Sequence, residues 1–202
     1  MARPRKSHVK RDRNGKSRGE PLQIHPETLA VRERQLQEDG IILEFRQKRQ
    51  YHEIIKRTAE DAKAGTTLGR LLLRRRQGDF SCSISQEQFD AGDAWAALCR
   101  RHASIMGYSL GPHAASFEIG GGRSTHEPLE ETVLYVRRKW SDCYNLLMDA
   151  CQQHGLGVRN VTFGVCVENW PISALYQNYG IADLRIGLNA IARALDIGRQ
   201  IR

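Results

Sequence analysis

The sequence predicts a mainly α-helical protein, a helical bundle that follows a disordered basic N-terminal arm. Three observations predict this. Apolar residues recur every three or four positions over several long stretches, glycine or proline separates these stretches, and residues 1–22 lack apolar periodicity. The 202 residues suffice for one ordinary domain with a tail or for two small domains, and the 40% that are hydrophobic suffice for a core.

The N-terminal arm, residues 1–22, holds most of the net charge. Residues 1–19 contain eight cations and one anion, Asp12, so eight minus one, or +7, of the formal net charge of +8 lies there. The cations are Arg3, Arg5, Lys6, Lys10, Arg11, Arg13, Lys16 and Arg18. Such a stretch cannot bury enough apolar surface to offset the entropy cost of ordering, so we expect it to be disordered.

A helical region is expected over residues 23–106. A first helix over 26–40 opens with Pro26, because proline suits the first helical position, and ends at a glycine. A second helix is expected over 41–64, closed by the glycine that follows. Residues 68–73 fit either one or two helical turns or a buried strand, and periodicity does not decide between them.

The last helix of this region has the clearest start signal. Ser85 and Gln88 have the spacing of a capping box, in which each side chain satisfies the other's backbone N–H. Apolar residues then recur at helical spacing up to Met106, and Gly107 follows. The pattern therefore predicts a helix from Ser85 to Met106.

A glycine-rich loop over 107–126 precedes a C-terminal helical region over 127–202. The longest helix is expected over 128–154, with apolar residues in alternating four-three spacing. These are Leu129, Val133, Val136, Trp140, Cys143 and Leu147. The stripe is too short to prove a dimer, so an intramolecular bundle is favoured and the oligomeric state stays open.

The remaining C-terminal segments differ in clarity. Residues 158–168 are rich in valine, which suits a strand, yet the same valines also fit one helical face, so both interpretations stay open. Trp170-Pro171 predicts a turn. A last helix is expected over 181–195, since its apolar residues have four-three-four spacing.

The composition favours a cytoplasmic protein. No stretch approaches the roughly 18 apolar residues of a membrane span, and the basic N-terminus is not followed by the apolar run of a secretory signal. The five cysteines are odd in number and irregularly spaced, which is typical of reduced thiols and not of a disulfide framework. We expect no membrane partner.

Three stretches carry a resemblance. They are Ala2-Arg3-Pro4-Arg5-Lys6 with the Lys10-Arg11 and Asn14-Gly15 pairs, residues 65–71 with 84–92, and Asp183-Leu184-Arg185 with 188–192. Together they resemble small basic proteins encoded in bacterial phage and prophage regions. The layout from Cys166 through Trp170-Pro171 to residues 188–192 is similar to a C-terminal domain of unknown function on bacterial helix-turn-helix regulators. The resemblance implies a phage setting and supplies no catalytic residues.

The arm is the main candidate for a nucleic-acid contact. Its cations can neutralise phosphates and release counterions, which gives sequence-independent affinity for duplex DNA, and arginines of such arms also enter A·T-rich minor grooves. The alternatives are a solubilising tail or contact with an acidic partner, such as RNA polymerase or another phage protein.

Two sites in the body extend this candidate interface. Arg74, Arg75 and Arg76 form a basic triplet at a helix end or loop, whereas 137–139 is interpreted as a solvated helix face. Arg185, Asn189 and Arg193 share one side of the last helix and are residue types that read base edges. A helix-turn-helix would pair that helix with residues 158–168, or the 68–73 segment with the Ser85-capped helix; ordinary bundle packing is the alternative.

The sequence carries one candidate metal geometry and no catalytic motif. Cys99 with His102 and Cys151 with His154 are both C-x-x-H pairs at helix ends, and together they would supply four zinc ligands. We expect instead that the cysteines are small core hydrophobes and that no metal is bound, with the four-ligand zinc site as the alternative. No nucleophile elbow, zinc-protease or Walker motif is present, so no enzyme and no cofactor are expected.

These observations predict a DNA-binding regulatory protein of a phage or prophage. The arm would supply phosphate contacts, and the helical body would supply register or partner contacts. The alternative is a protein–protein adaptor or assembly factor that uses the long heptad-patterned helix.

Overall fold

The computed structural model describes residues 24–39, 55, 57–76, 78–110, 129–178 and 180–198. All regular secondary structure in these residues is helical, which confirms the mainly α fold class. The predicted disordered arm, most of the helix expected over 41–64 and most of the glycine-rich loop lie outside the described residues.

Seven α-helices and one 3-10 helix are defined by their end residues in the described part of the chain. They are α1 (Pro26–Glu38), the 3-10 helix (Ala62–Gly65), α2 (Thr67–Arg76), α3 (Gln86–Met106), α4 (Glu130–His154), α5 (Gly157–Cys166), α6 (Ile172–Asn178) and α7 (Ile181–Ala194). The expected first, long and last helices are confirmed as α1, α4 and α7, each with ends within two residues of the prediction.

The structure decides both segments that the sequence left open. Residues 68–73 lie within α2, and residues 158–166 lie within α5. The second expected helix does not reach residue 64, because the chain turns at Asp61. The Asp61 carboxylate accepts a hydrogen bond from the Lys63 backbone N–H at 2.9 Å and so caps the 3-10 helix instead.

The predicted start and end of α3 are confirmed in detail. Ser85 Oγ accepts a hydrogen bond from the Gln88 backbone N–H at 3.2 Å, and Gln88 Oε1 accepts one from the Ser85 backbone N–H at 2.9 Å. Gly107 ends the helix with φ of 74°, a conformation that glycine adopts without steric cost.

Helix α7 lies at the centre of the packing. Leu184 and Leu188 belong to a core shared with α2 and α5, Ile191 joins a second core with α3 and α4, and Ala190 joins a third with α4 and α5. Gly187 permits the close approach of α5, because a Cβ there would lie 2.0 Å from Thr162 Oγ1. The helix therefore organises the bundle from inside.

The heptad stripe of α4 packs within the chain over most of its length. Val136, Cys143 and Leu147 are buried, Cys143 against α3 and α7 and Leu147 against α5 and α7, whereas Leu129 at the start of the stripe is 77% exposed. Among the described helices, none combines the length and apolar character that crossing a membrane requires.

Candidate functional site

The basic triplet at the end of α2 is engaged in local contacts. Arg74 lies 3.8 Å from the Asp79 carboxylate and also donates to the Asp39 carbonyl, Arg75 lies over the Phe80 ring at 5.3 Å from its centroid, and Arg76 lies 3.7 Å from Asp61. The carboxylates offset the charges of Arg74 and Arg76 locally, whereas the cation–π contact leaves the charge of Arg75 in place, and Arg75 and Arg76 are exposed. The triplet therefore does not present three uncompensated cations on one surface.

The three candidate base readers on α7 have different surroundings. The Arg185 guanidinium donates to the carbonyl oxygens of Phe80 at 2.7 Å, Ser81 at 3.1 Å and Ser83 at 2.5 Å. Asn189 Oδ1 accepts from Gln88 Nε2 at 3.0 Å, and Arg193 is exposed. Arg185 thus anchors the segment between α2 and α3, and Asn189 joins α7 to α3.

The connections between the candidate recognition helices are longer than a helix-turn-helix allows. Helix α6 lies between α5 and α7, and residues 77–85 lie between α2 and α3. The motif joins its two helices by a turn of about three or four residues. The structure brings these helices together through core packing and not through such a turn.

The two C-x-x-H pairs lie in different parts of the core. Cys99 packs in the cluster that contains Trp95, whereas Cys151 packs in another with Val158. Burial raises the pKa of the Cys99 thiol to about 12, as for a cysteine that packs as a small core hydrophobe. The described residues contain no group of three or more His, Cys, Asp or Glu side chains placed to hold a metal ion.

A cavity of about 480 Å³ lies where α3, α4 and α5 meet and where the chain leaves α5. Its walls are mainly aromatic. The aromatic lining residues are Trp95, Trp140, Tyr144, Phe163 and Trp170. All three tryptophans of the chain are among them, although they come from separate segments of the sequence.

Trp140 organises the rings beside the cavity. The His102 ring stacks on it at 4.3 Å between centroids and 7° between planes, and Tyr144, one helical turn further along α4, stacks at 5.0 Å and 11°. Trp95 lies 6.3 Å away at 23°. Rings held in this way keep a fixed orientation, as a preformed site requires.

The His102 ring is held as a neutral aromatic ring. Its Nδ1 lies 2.9 Å from the Tyr108 hydroxyl, and burial, followed by the positive charge of Arg137, lowers the pKa of His102 below its usual value. Both causes oppose protonation. His102 therefore supports Trp140 by stacking.

The turn after α5 places Trp170 over that helix. Asn169 adopts φ of 54°, in the left-handed region that asparagine tolerates, and its Oδ1 accepts from the Thr67 backbone N–H at 2.8 Å. The Trp170 backbone N–H donates to the Gly164 carbonyl at 2.9 Å. A Cβ on residue 164 would lie 2.3 Å from the Trp170 ring, so the glycine gives the indole its place.

Three polar side chains of the lining have complementary hydrogen-bonding character. Arg159 is a donor, Glu168 is an acceptor, and Asn160 is both; all three are partly exposed. Arg159 and Asn160 share a long contact of 3.4 Å. The Trp95 indole N–H has no hydrogen-bond partner in the described part of the chain, although the residue is only 1% exposed.

Comparison with protein-family models, with curated proteins and with solved structures finds no match for this chain. The function is therefore inferred from the charge and chemistry of the chain's own residues. Sequence reasoning placed Trp95 and Trp140 in apolar helical stripes and Trp170 in a turn. Their meeting depends on tertiary packing, and the local pattern carries no signal for it.

Proposed function

We propose that the protein binds nucleic acid, in the first place duplex DNA, through the cations of residues 1–19, and that it acts in phage or prophage gene regulation. One observation carries this proposal: this short stretch holds +7 of the formal net charge of +8. A concentrated set of lysines and arginines attracts phosphates without reading the sequence of the bases. The proposed activity is binding, with no catalytic step.

The contacts of the body residues support a proposal in which residues 1–19 supply most of the affinity. Arg74 and Arg76 lie close to carboxylates, and Arg185 donates hydrogen bonds to backbone carbonyls. These three side chains therefore already make stabilising contacts within the fold. Arg193 on α7 is exposed and is compatible with one further phosphate contact. The proposal is therefore sequence-independent attachment, with the helical body available for other ligands or partners.

The alternative function, a protein–protein adaptor, would use a different surface of α4 from the heptad stripe. The heptad stripe that suggested it is largely buried in the chain itself, whereas Leu134 and Tyr135 on α4 are 59% and 61% exposed. A protein partner would therefore contact the exposed side of the first turns of α4.

The test is a salt titration of duplex DNA binding. We expect the full chain to lose affinity steeply with salt, by about 0.9 in the slope of log affinity against log salt for each phosphate contacted. A variant with the eight cations of residues 1–19 changed to glutamine, and a deletion of residues 1–20, should both flatten the slope. As a matched control, glutamine at Arg137 and Arg138, exposed cations on α4, should leave it nearly unchanged.

Two outcomes oppose the proposal. If the native chain and the eight-glutamine variant give the same slope, residues 1–19 do not contact phosphates. If no DNA is retained at near-physiological salt, the proposed function is wrong.

A further inference from the structure

We propose that the aromatic cavity binds a free, neutral, planar nitrogen heterocycle, a molecule of the nucleobase or nucleoside class. This site is separate from the cations of residues 1–19 and goes beyond the nucleic-acid association proposed above. Three properties of the lining lead to this class of ligand: its size, its aromatic walls and its balanced polar groups.

The size and walls suit a small planar molecule. The volume of about 480 Å³ lies within the range of roughly 300–1,000 Å³ that small-molecule sites occupy. Aromatic rings such as Trp140, Tyr144 and Phe163 offer faces and edges that pack best against another flat π-system. The near-parallel stack of His102, Trp140 and Tyr144 holds these rings in place before any ligand arrives.

The charges of the lining favour a neutral ligand. Arg159 would repel a cation that Glu168 attracts, and Glu168 would repel an anion that Arg159 attracts, so the pair gives no net preference for a singly charged ligand. A neutral heterocycle avoids the cost of moving a charge from water to the aromatic walls. Its ring nitrogens or carbonyl oxygens can accept from Arg159, and its N–H groups can donate to Glu168 or Asn160.

The same charges argue for a free molecule over a base within a nucleic-acid strand. A strand brings phosphodiesters to the mouth of the cavity, where Arg159 is the cation of the lining and Glu168 opposes it. Proteins that hold single strands combine stacking rings with a positively charged groove along the backbone. Because the charges of this lining are balanced, the proposed ligand is a free heterocycle and not a base within a strand.

Tryptophan fluorescence of the full-length protein provides the first test. Since all three tryptophans line the cavity, the emission carries no contribution from a tryptophan elsewhere in the chain. We expect saturable quenching by at least one probe among adenine, adenosine, guanosine, cytidine and uridine, with equilibrium dialysis as an independent measure of binding. Choline, acetate and cyclohexanol are the cationic, anionic and non-planar controls, and none should compete.

Substitutions of the polar lining test its role. Arg159→Gln and Glu168→Gln should each weaken binding of the probe about tenfold, because each replaces a charge-assisted hydrogen bond with a neutral one. Arg138→Gln and Glu131→Gln change exposed residues of α4 in the same way and should leave affinity unchanged. Unchanged affinity in both lining variants would overturn the assigned polar contacts.

A glycine pair tests the aromatic wall. Gly164→Ala places a Cβ 2.3 Å from the Trp170 ring, so the indole must move and affinity should fall at least tenfold. Gly180→Ala is the matched control, because its Cβ would meet nothing closer than 3.7 Å and its φ of −88° suits alanine. Circular dichroism establishes that both variants fold; if Gly164→Ala does not, Phe163→Ala takes its place with the same expectation.

Two comparisons decide the source of the ring and separate this inference from the proposed function. Adenosine should bind more tightly than adenosine monophosphate, and a single-stranded oligonucleotide should not quench beyond its abasic counterpart. The eight-glutamine variant of residues 1–19 should bind adenosine as the native chain does. Tighter binding of the oligonucleotide would overturn the free-ligand assignment, and lack of saturable binding to every probe would overturn the site. Neither result alters the salt slope with duplex DNA.

Discussion

The α1–α2 side of the bundle and the aromatic cavity differ in how their charged groups are paired. Arg70 is 3% exposed, and its Nε lies 2.5 Å from the Asp39 carboxylate, with acceptors for the other guanidinium nitrogens nearby. Around the cavity, Arg159 and Glu168 are partly exposed, and the Trp95 N–H lacks an acceptor in the described chain. The charged groups of the α1–α2 side are paired within the fold, although the buried Ser83 hydroxyl there has no partner in the described part of the chain. The partly exposed polar groups of the cavity lining are the ones that the proposed ligand would contact.

This difference changes which residues are candidates for function. Arg74 and Arg185 are predicted nucleic-acid contacts because cations bind phosphates, yet both make hydrogen bonds or ion pairs on the α2 side of the protein. The tryptophans are not among the predicted site residues, because aromatic residues at helical spacing usually fill cores. In this fold they line the aromatic cavity. Whether a polar or aromatic side chain is a candidate for ligand binding therefore depends on whether neighbouring residues already occupy its hydrogen-bonding groups or its ring faces.

The largest effect is expected where the buried ion pair is broken. Asp39→Ala leaves the Arg70 guanidinium without its carboxylate in a buried position, which should lower the free energy of unfolding by about 3–5 kcal/mol. Arg76→Ala is the control, since the Arg76 and Asp61 side chains are 51% and 34% exposed, and it should cost less than about 1 kcal/mol. Urea denaturation measures the free energy of unfolding of both variants. Equal decreases would contradict the conclusion that the buried Arg70–Asp39 pair stabilises the fold more than the exposed Arg76–Asp61 pair does.

A smaller effect is expected at the anchor of the segment between α2 and α3. Arg185→Ala removes hydrogen bonds from a charged donor to the carbonyls of Phe80, Ser81 and Ser83, which should cost about 1.5–3 kcal/mol. Arg193→Ala, on the same helix and exposed, should change stability little. If Arg185→Ala instead kept full stability and relaxed the sequence preference of DNA binding, the base-reading hypothesis for α7 would replace the anchoring role.

The smallest effect concerns the pH dependence of the aromatic stack. Since burial and then Arg137 lower the pKa of His102, the folded state disfavours its protonated form. The contribution to stability is complete above the unfolded pKa of about 6.5 and is lost as the pH falls through the lowered folded pKa. We expect acidification from about pH 7.5 to about pH 5 to reduce the urea midpoint less in a His102→Gln variant than in the native chain. An identical pH profile in both would remove His102 as the cause.

The elements with local signals could be predicted from the sequence. The Ser85–Gln88 capping box and Gly107 defined α3, and the long apolar stripes defined α4 and α7. Residues 158–168 could not be assigned, because valines spaced for one helical face also suit a strand and tertiary packing decides. The short helix α6 was missed, since seven residues after Pro171 are too few to show periodicity.

The candidate site depends on contacts that local patterns do not encode. Trp140 and Tyr144 share a helical face, which the spacing shows, but the approach of Trp170 depends on the left-handed Asn169 and on the space beside Gly164. A glycine within a valine-rich helix and an asparagine before Trp-Pro were the available signals. These signals indicate that another segment of the chain approaches the backbone closely, but they do not identify that segment as the one that contains Trp170.

The most direct measurement is a magnetic-resonance titration of the isotope-labelled protein with adenosine. It follows the indole N–H signals of Trp95, Trp140 and Trp170 together with the guanidinium Nε–H signals of Arg70 and Arg185. The open-cavity account predicts that indole signals shift along one common saturation curve while both arginine signals stay in place. Indole signals that remain unmoved through the panel of heterocycles, or arginine signals that shift in their stead, would contradict it.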